Sequence, residues 1–156
     1  MKKRLFIALI LILMLVPTSI AVAKDKPLRY ETTYDLAITG DVYEGRTHTW
    51  DGVILVDGEC VGTIDWYMYP GELPPPTTVV HWEGAIWTIN FLDGTFIEGE
   101  ERGSTTWLLH KGEAIWRANG VVTNASDTDL IGRPIHDGGF VDLTTMSGVG
   151  KIQINK

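Results

Sequence analysis

Two side chains that could act as an acid and a base lie close together in one β-rich stretch. His81 and Glu83 are separated by a single residue, so in an extended strand both would point to the same side. Such a pair could serve in general acid–base chemistry or supply two metal ligands. The alternative is a surface pair that contacts a neighbouring strand. Since the histidines show no recognised metal-binding spacing, we expect no metal and no cofactor.

Two further charged segments could carry chemistry. His136-Asp137 falls in the run GRPIHDGG, which is typical of a loop, and loops often carry function. Its glycines and proline are equally explained by turn geometry. The run GEERG (99–103) could bind a cation through carboxylates, but it lacks the ordered spacing of a calcium loop, and we predict a solvated turn. The sequence has no phosphate-binding loop, nucleophile elbow or Cys–His pair.

Tryptophan is the most over-used residue type in the chain. Trp66, Trp107 and Trp116 fall on the predicted core faces of strands, and they are the first candidates for lining a pocket for an apolar or sugar ligand. The alternative is that they only fill the core. All six tryptophans lie in predicted strands: Trp50, Trp66, Trp82, Trp87, Trp107 and Trp116.

The elements that must position these residues are short strands bounded by Gly, Pro, Asp or Asn. Asp57-Gly58 between two apolar runs predicts a hairpin. In the first strand, 30–39, one face carries Tyr30, Thr32, Tyr34, Leu36 and Ile38. Further strands are predicted over 48–56, 62–69, 79–91, 95–98, 104–110, 113–124, 139–144 and 150–155, with connections at 70–76 and 127–138.

Eight or nine strands with short turns and no long helix predict an antiparallel sheet. A sheet of this length tends to curl, and closure into a barrel removes its exposed edges. We therefore predict an all-β protein, an antiparallel eight-stranded barrel that forms one domain over 24–156. A β-sandwich of two sheets is the alternative.

The first 23 residues have the pattern of a secretory signal peptide. Lys2, Lys3 and Arg4 precede an apolar run over 5–16, and Ala21-Val22-Ala23 forms an A-x-A cleavage site. The apolar run is well short of the roughly 20 residues that a spanning helix needs. We predict cleavage and a secreted or extracytoplasmic location, with no membrane contact afterwards. An uncleaved anchor is the alternative.

Cleavage would leave a strongly acidic domain. Three of the 13 basic residues lie in the leader and all 20 acidic residues follow it, so the formal net charge changes from −7 to −10. Nucleic acids and anionic membranes select basic surfaces, and we expect neither as a partner.

Two other residues invite a specific interpretation. Cys60 is the single cysteine, so no intramolecular disulfide can form. We expect it to be a small buried side chain, with a reactive or intermolecular thiol as the alternative. Asn124-Ala125-Ser126 is a glycosylation sequon, which matters only if the source organism modifies exported proteins.

The C-terminal half resembles the allene oxide cyclase-like or dirigent-like barrel proteins over about 30 residues of mostly turn glycines. The resemblance implies an eight-stranded antiparallel barrel with a lumen for an apolar small molecule, often in a homotrimer. The plant members cyclise or steer lipophilic substrates. The chain departs from the pattern at Asp127-Thr128-Asp129 and at PIHD, and no catalytic residue carries over. The matching positions are Ala118, Gly120, Val122, Thr123, Ala125, Ser126, Leu130, Gly132, Gly138 and Gly139.

Three functions fit these observations. The first is non-catalytic binding of a small lipophilic or aromatic ligand in the barrel lumen. The second is an isomerase or cyclase in that lumen, with His81, Glu83 or Arg117 as its polar groups. The third is a cell-surface or assembly module, which clustered exposed tryptophans would indicate.

Overall fold

The structure is a computed structural model that describes residues 26–37, 39–69 and 77–155. The predicted leader, Ile38 and the proline-rich connection over 70–76 lie outside these ranges. The described chain is all-β, with two single-turn 3₁₀ helices at Leu109–Lys111 and Thr128–Leu130. Its strands are β1 (Leu28–Leu36), β2 (Val42–Tyr43), β3 (Arg46–Val56), β4 (Glu59–Met68), β5 (Thr78–Phe91), β6 (Phe96–Leu108), β7 (Glu113–Ala125), β8 (Pro134–Asp142) and β9 (Ser147–Ile154).

Eight of these strands close into a barrel, as predicted. Each strand from β3 to β8 pairs antiparallel with the next along the chain, and β1 pairs with both β9 and β3. That closure excludes the sandwich alternative. The two-residue strand β2, which was not predicted, adds to β3 outside the barrel. Among the described residues, no helix has the length and hydropathy that crossing a membrane requires.

The predicted hairpin at Asp57-Gly58 is confirmed. β3 ends at Val56 and β4 begins at Glu59, so only these two residues form the loop. Both have positive φ, 51° and 81°, as a type I′ turn requires. The twist of this turn matches that of the flanking strands, which sets the β3–β4 register.

Alternating burial along the strands confirms several predicted faces. In β1, Thr32 and Tyr34 are buried while Glu31 and Asp35 are exposed. In β7 the buried positions recur at every second residue from Ala114 to Ala118. Each inner face contributes to one continuous apolar core inside the barrel.

Two predicted connections are wrong, because both belong to strands. The GEERG segment does not divide two strands; it is part of β6, whose pairing with β7 runs through Glu101 opposite Gly120. The predicted loop over 127–138 ends early, since β8 begins at Pro134. In both segments, glycines and charged residues suggested a turn, but hydrogen bonds to strands on both sides hold them extended.

A β-bulge in β5 reverses which residues point inward. The register with β6 shifts between Trp82 and Ala85, and Gly84 adopts a positive φ of 68°. After the bulge, Ala85 and Trp87 are buried. His81 lies before the shift on the outer face.

Candidate functional site

Aromatic side chains occupy the middle of the barrel. Trp66 and Trp116 are both buried, with ring centroids 6.3 Å apart. The Tyr34 ring lies 5.9 Å from Trp66 and 5.4 Å from Trp116. The prediction that both tryptophans face the core is confirmed. Their mutual packing fills space that a central ligand would need.

Trp107 also lies on the inner face of its strand, where it is partly buried against the core. All six tryptophans fall in the described ranges, and none of them is exposed. The clustered exposed tryptophans that would mark an assembly module are therefore not found.

The three polar side chains expected in the lumen do not lie there. His81, Glu83 and Arg117 are all exposed. Arg117 follows the inward-pointing Trp116, so strand alternation turns it outward, and the other two lie on the outer face of β5. The isomerase hypothesis based on these three groups is therefore wrong.

Glu101 occupies the interior instead. Its residue is only 2 % exposed, and neither carboxyl oxygen has a hydrogen-bond partner. The opposing residue on β7 is Gly120, where an added Cβ would come within 2.7 Å of Glu101 Cγ. The absent side chain makes room for this acid, which was predicted to be part of a solvated turn.

Asp137 is a second interior acid, 6 % exposed, on β8. Trp116 donates its indole N–H to Asp137 Oδ2 at 3.4 Å, and the Gly138 amide donates to Oδ1 at 2.7 Å. Its neighbour His136 points outward, where Nδ1 lies 2.7 Å from Asn119 Oδ1. The two residues predicted as one loop site therefore lie on opposite sides of the barrel wall.

Glu101 and Asp137, hereafter the acidic pair, flank β7 from its two sides. Glu101 is registered with Gly120, and Asp137 with Ala118. Both of these β7 residues are small, since one has no side chain and the other only a methyl group.

Burial and mutual repulsion keep the acidic pair from ionising fully. Burial raises the pKa of Asp137 to about 7, although its hydrogen bonds from Trp116 and Gly138 favour the charged form. Burial, reinforced by the charge of Asp137, raises the pKa of Glu101 well above its usual range. Both shifts in pKa favour the protonated, neutral form of the acidic pair.

Further interior polar atoms lack partners. The hydroxyl of Thr32 and that of Tyr34 are buried without a hydrogen bond, as are the indole nitrogens of Trp66 and Trp87. Burial first, and then the charges of Asp137 and Glu101, raise the pKa of Tyr34. These groups and Glu101 make the interior unusually rich in unsatisfied polar atoms.

A pocket of about 420 Å³ opens at one end of the barrel, where β1 begins and the β5–β6 turn and the β7–β8 connection meet. The Tyr30 and Phe91 rings pack in its wall with centroids 5.7 Å apart. Its other apolar lining residues are Leu28, Phe96, Ile97 and Leu130, and its polar ones are Asp93, Thr95, Ser126 and Asp127. This end pocket is a concave apolar surface with a polar rim.

The outer wall carries a separate polar cluster. His48 is buried there, with its ring 5.0 Å from Tyr67 and its Nε2 atom 3.7 Å from Asp65 Oδ1. Burial raises the pKa of Asp65, while the charge of His48 opposes this. Thr39 Oγ1 lies 3.1 Å from the other ring nitrogen, so the cluster joins the segment that follows β1 to β3 and β4.

Cys60 is exposed, so the expectation of a buried cysteine is wrong. It comes two residues after the Gly58 turn, where the barrel ends, and its sulfur lies 3.6 Å from the Gly62 carbonyl oxygen. Asn124, the sequon asparagine, is also exposed.

Within the described ranges, no three His, Cys, Asp or Glu side chains come together as a metal-binding group. The chain matches no protein-family model, no curated protein and no solved structure. The resemblance to the allene oxide cyclase-like and dirigent-like proteins therefore stays a prediction, and the site must be interpreted from its own geometry.

Proposed function

We propose that the protein is a non-catalytic binder of a small lipophilic or aromatic molecule, which it holds in the end pocket. The observation that carries this proposal is the concave apolar surface of about 420 Å³. This volume falls within the roughly 300–1,000 Å³ typical of small-molecule pockets. The aromatic packing at the middle of the barrel leaves the centre of the lumen no room for the ligand.

The lining favours a flat or aromatic molecule. The Tyr30 and Phe91 rings are tilted by 50° to each other and offer apolar surface together with one phenolic hydroxyl. Burial raises the pKa of Tyr30, so this hydroxyl is neutral at physiological pH and can donate a hydrogen bond.

The rim disfavours anionic ligands. Asp93 accepts hydrogen bonds from the backbone and the side chain of Thr95, and these bonds lower its pKa. Asp127 accepts a bond from the Asp129 amide and lies at the same rim. Two carboxylates at the entrance repel fatty-acid-like anions, so the proposed ligand is neutral or cationic.

The proposed setting is outside the cytoplasm, on the strength of the leader pattern in residues 1–23. Ligand binding by an exported, acidic barrel needs no cofactor. Assembly into a homotrimer, which the family resemblance implies, is compatible with this function.

Fluorescence titration with the neutral probe N-phenyl-1-naphthylamine tests the proposal. We expect saturable binding that Phe91→Ala weakens about tenfold, since burying a phenyl ring contributes roughly 1.5–3 kcal/mol and 1.4 kcal/mol is a factor of ten. Leu92→Ala is the matched control, because Leu92 is the next residue but is exposed and does not line the pocket.

The anionic analogue 1-anilinonaphthalene-8-sulfonate should bind more weakly than the neutral probe. Circular dichroism establishes that each variant is folded. Equal affinity of wild type and Phe91→Ala, or no saturable binding by the wild type, would refute the end pocket as the binding site.

A further inference from the structure

An apolar stripe crosses the outer wall of the barrel at right angles to the strands. Ile115 on β7 is registered with Phe140 on β8, and Phe140 with Val149 on β9. These three side chains follow one another across adjacent strands, and each is between 37 % and 57 % exposed. Contiguous apolar surface of this kind marks interaction sites, whereas exposed apolar residues that are scattered singly do not.

The register continues the apolar stripe onto the neighbouring strands without a charged residue. Two positions extend it from β7 across β6 to β5, and two extend it from β9 across β1 to β3. Because the wall of a barrel is curved, these positions turn away from a partner that faces β8, and the three central residues carry the contact. The flanking residues are Val79, Thr106, Thr33 and Val53.

Charges of opposite sign border the two sides of the apolar stripe. On one side, Arg117 on β7 is registered with Gly138, and Gly138 with Lys151 on β9. On the other side, Glu113 on β7 is registered with Asp142 on β8. Strand alternation points all four charged residues outward, like the stripe itself. We name Arg117 and Lys151 the basic row, and Glu113 and Asp142 the acidic row.

The charges on β7 are available to a partner. Neither Arg117 nor Glu113 forms an ion pair with another described residue, whereas Lys151 Nζ lies 3.4 Å from Glu31 Oε1. A surface that is apolar along its centre, basic on one side and acidic on the other is complementary to its own copy after half a turn. The charge pattern therefore matches a second copy of the same chain.

We propose that the apolar stripe binds a second copy of this chain, related to the first by a two-fold axis that runs along the stripe. This axis reverses the strand direction, so the basic row of each copy faces the acidic row of the other. A two-fold axis parallel to the strands would instead bring like charges together. Two-fold contacts use the same surface on both copies, as a self-complementary pattern requires.

This axis gives each central residue a specific neighbour, because the rotation leaves positions along the stripe unchanged. Phe140 faces Phe140 of the second copy at the centre of the contact. Arg117 faces Glu113 of the second copy, and symmetry forms this ion pair twice. Gly138 has no side chain, which leaves room beside Arg117 for Asp142 of the second copy.

The association is independent of the proposed ligand function. β1 closes the barrel within one chain, so the core is complete without a second copy and a dilute monomer stays folded. The end pocket opens at the end of the barrel and contains no residue of the apolar stripe. Both copies of a dimer can therefore bind a ligand.

Sedimentation equilibrium over a range of protein concentrations tests the association, and we expect a reversible dimer. Arg117→Glu and Glu113→Arg should each weaken it at least about tenfold, because each change brings like charges together at two symmetric positions. Arg117→Glu combined with Glu113→Arg restores the opposite charges, and its affinity should lie within about threefold of wild type. Arg133→Glu is the matched control, since it makes the same charge change at an exposed position outside β8.

A second variant tests the apolar centre. Val149→Lys places a charge in the middle of the contact while it lowers the net negative charge of the chain, so general repulsion cannot explain a loss of the dimer. It should weaken association at least about tenfold, since two like charges then lie close to the axis. Val42→Lys makes the same change at exposed Val42 of β2 and should stay within about twofold of wild type. Circular dichroism verifies that each variant is folded.

A wild-type protein that stays monomeric up to millimolar concentrations would overturn the proposal. A closed ring of three copies would do so as well, because a three-fold axis does not bring the same surface of two copies together. If both single charge variants weaken association and the combined variant does not restore it, Arg117 and Glu113 do not face each other and the proposed axis is wrong.

Discussion

The indole nitrogen of Trp116 donates a hydrogen bond to Asp137 Oδ2 over 3.4 Å. The two residues are diagonal neighbours on adjacent strands, because Trp116 is registered with Gly139 and Asp137 with Ala118. Gly139 has no side chain, which lets the indole lie across its backbone and reach the acid. A tryptophan expected to line a pocket or to fill the core thus also donates a hydrogen bond to a buried carboxyl group.

Replacing this donor should change the titration of Asp137. The Trp116 bond favours the ionised carboxylate, so Trp116→Phe removes that stabilisation and should raise the pKa of Asp137 above about 7. Carbon-13 NMR of the aspartate carboxyl carbons as a function of pH measures this. Trp107→Phe is the control, because its indole packs against the core on another strand. An unchanged Asp137 titration in Trp116→Phe would contradict the assigned hydrogen bond.

The acidic pair should make the fold less stable as pH rises. Asp137 binds a proton in the folded state up to about pH 7, whereas its ordinary pKa is 3.8. The folded state therefore holds more protons than the unfolded state between these values, and the free energy of unfolding falls across this window. A pKa change of that size corresponds to a loss on the order of 4 kcal/mol between pH 4 and pH 7.

Urea denaturation at pH 5 and at pH 8 measures this loss. Glu101 has a raised pKa as well, so it should add to the decline in stability as pH rises. Asp137→Asn should flatten the profile between pH 4 and pH 7, because asparagine does not titrate. A wild-type protein that is more stable at pH 8 than at pH 5 would show that the acidic pair does not dominate the pH dependence.

Two adjacent glycines should respond very differently to an added methyl group. At Gly139 a Cβ would collide with the Trp116 ring and the Val149 carbonyl oxygen, whereas at Gly138 its nearest neighbour is the Trp116 carbonyl oxygen at 3.1 Å. Overpacking a core typically costs about 1–3 kcal/mol. We expect Gly139→Ala to lose about 3 kcal/mol and Gly138→Ala less than about 1 kcal/mol in urea denaturation. Equal losses would mean that the indole is not packed on Gly139.

Strand alternation predicted the barrel well where the strands are regular. Tyr34 and Trp116 both lie on the inner faces that a period of two assigns to them. The same rule could have found Glu101, because counting back by twos from Trp107 places it on the inner face of one continuous β6. Its charged and glycine neighbours are instead typical of a turn, which conceals the alternation in this segment.

Other features had no comparable signal in the sequence. The presence of Gly84 in the sequence does not indicate a bulge in β5. The bulge places Glu83 on the outer face and buries Ala85. Asp137 is buried because β8 begins at Pro134, and only pairing with β7 and β9 extends the strand so early. Pairing between strands that are distant in sequence therefore determines which acids are buried in the core.

Among the arginines on the outer face of the barrel, Arg46 should cost the most stability when it is replaced. Although it lies outside the barrel, it is only 7 % exposed, and its guanidinium bonds to the Gly84 carbonyl oxygen and to Glu100 Oε1 at 3.5 Å. The same group sits 4.9 Å from the centre of the Tyr69 ring. It therefore ties the start of β3 to the β5 bulge.

Arg46→Met keeps a long apolar stem but removes these interactions and leaves the Gly84 carbonyl oxygen without its donor. We expect a loss of about 2–3 kcal/mol in the free energy of unfolding, since a hydrogen bond to a charged group contributes about 1.5–3 kcal/mol. Arg117→Met, at an exposed position, should change stability by no more than about 0.5 kcal/mol. Because the Arg46 bonds hold the bulge, the variant should also exchange the Ala85 amide with solvent faster, as hydrogen-exchange mass spectrometry of the β5 peptide can show. Wild-type stability together with wild-type exchange in Arg46→Met would mean that the bulge is held by the β-ladder alone.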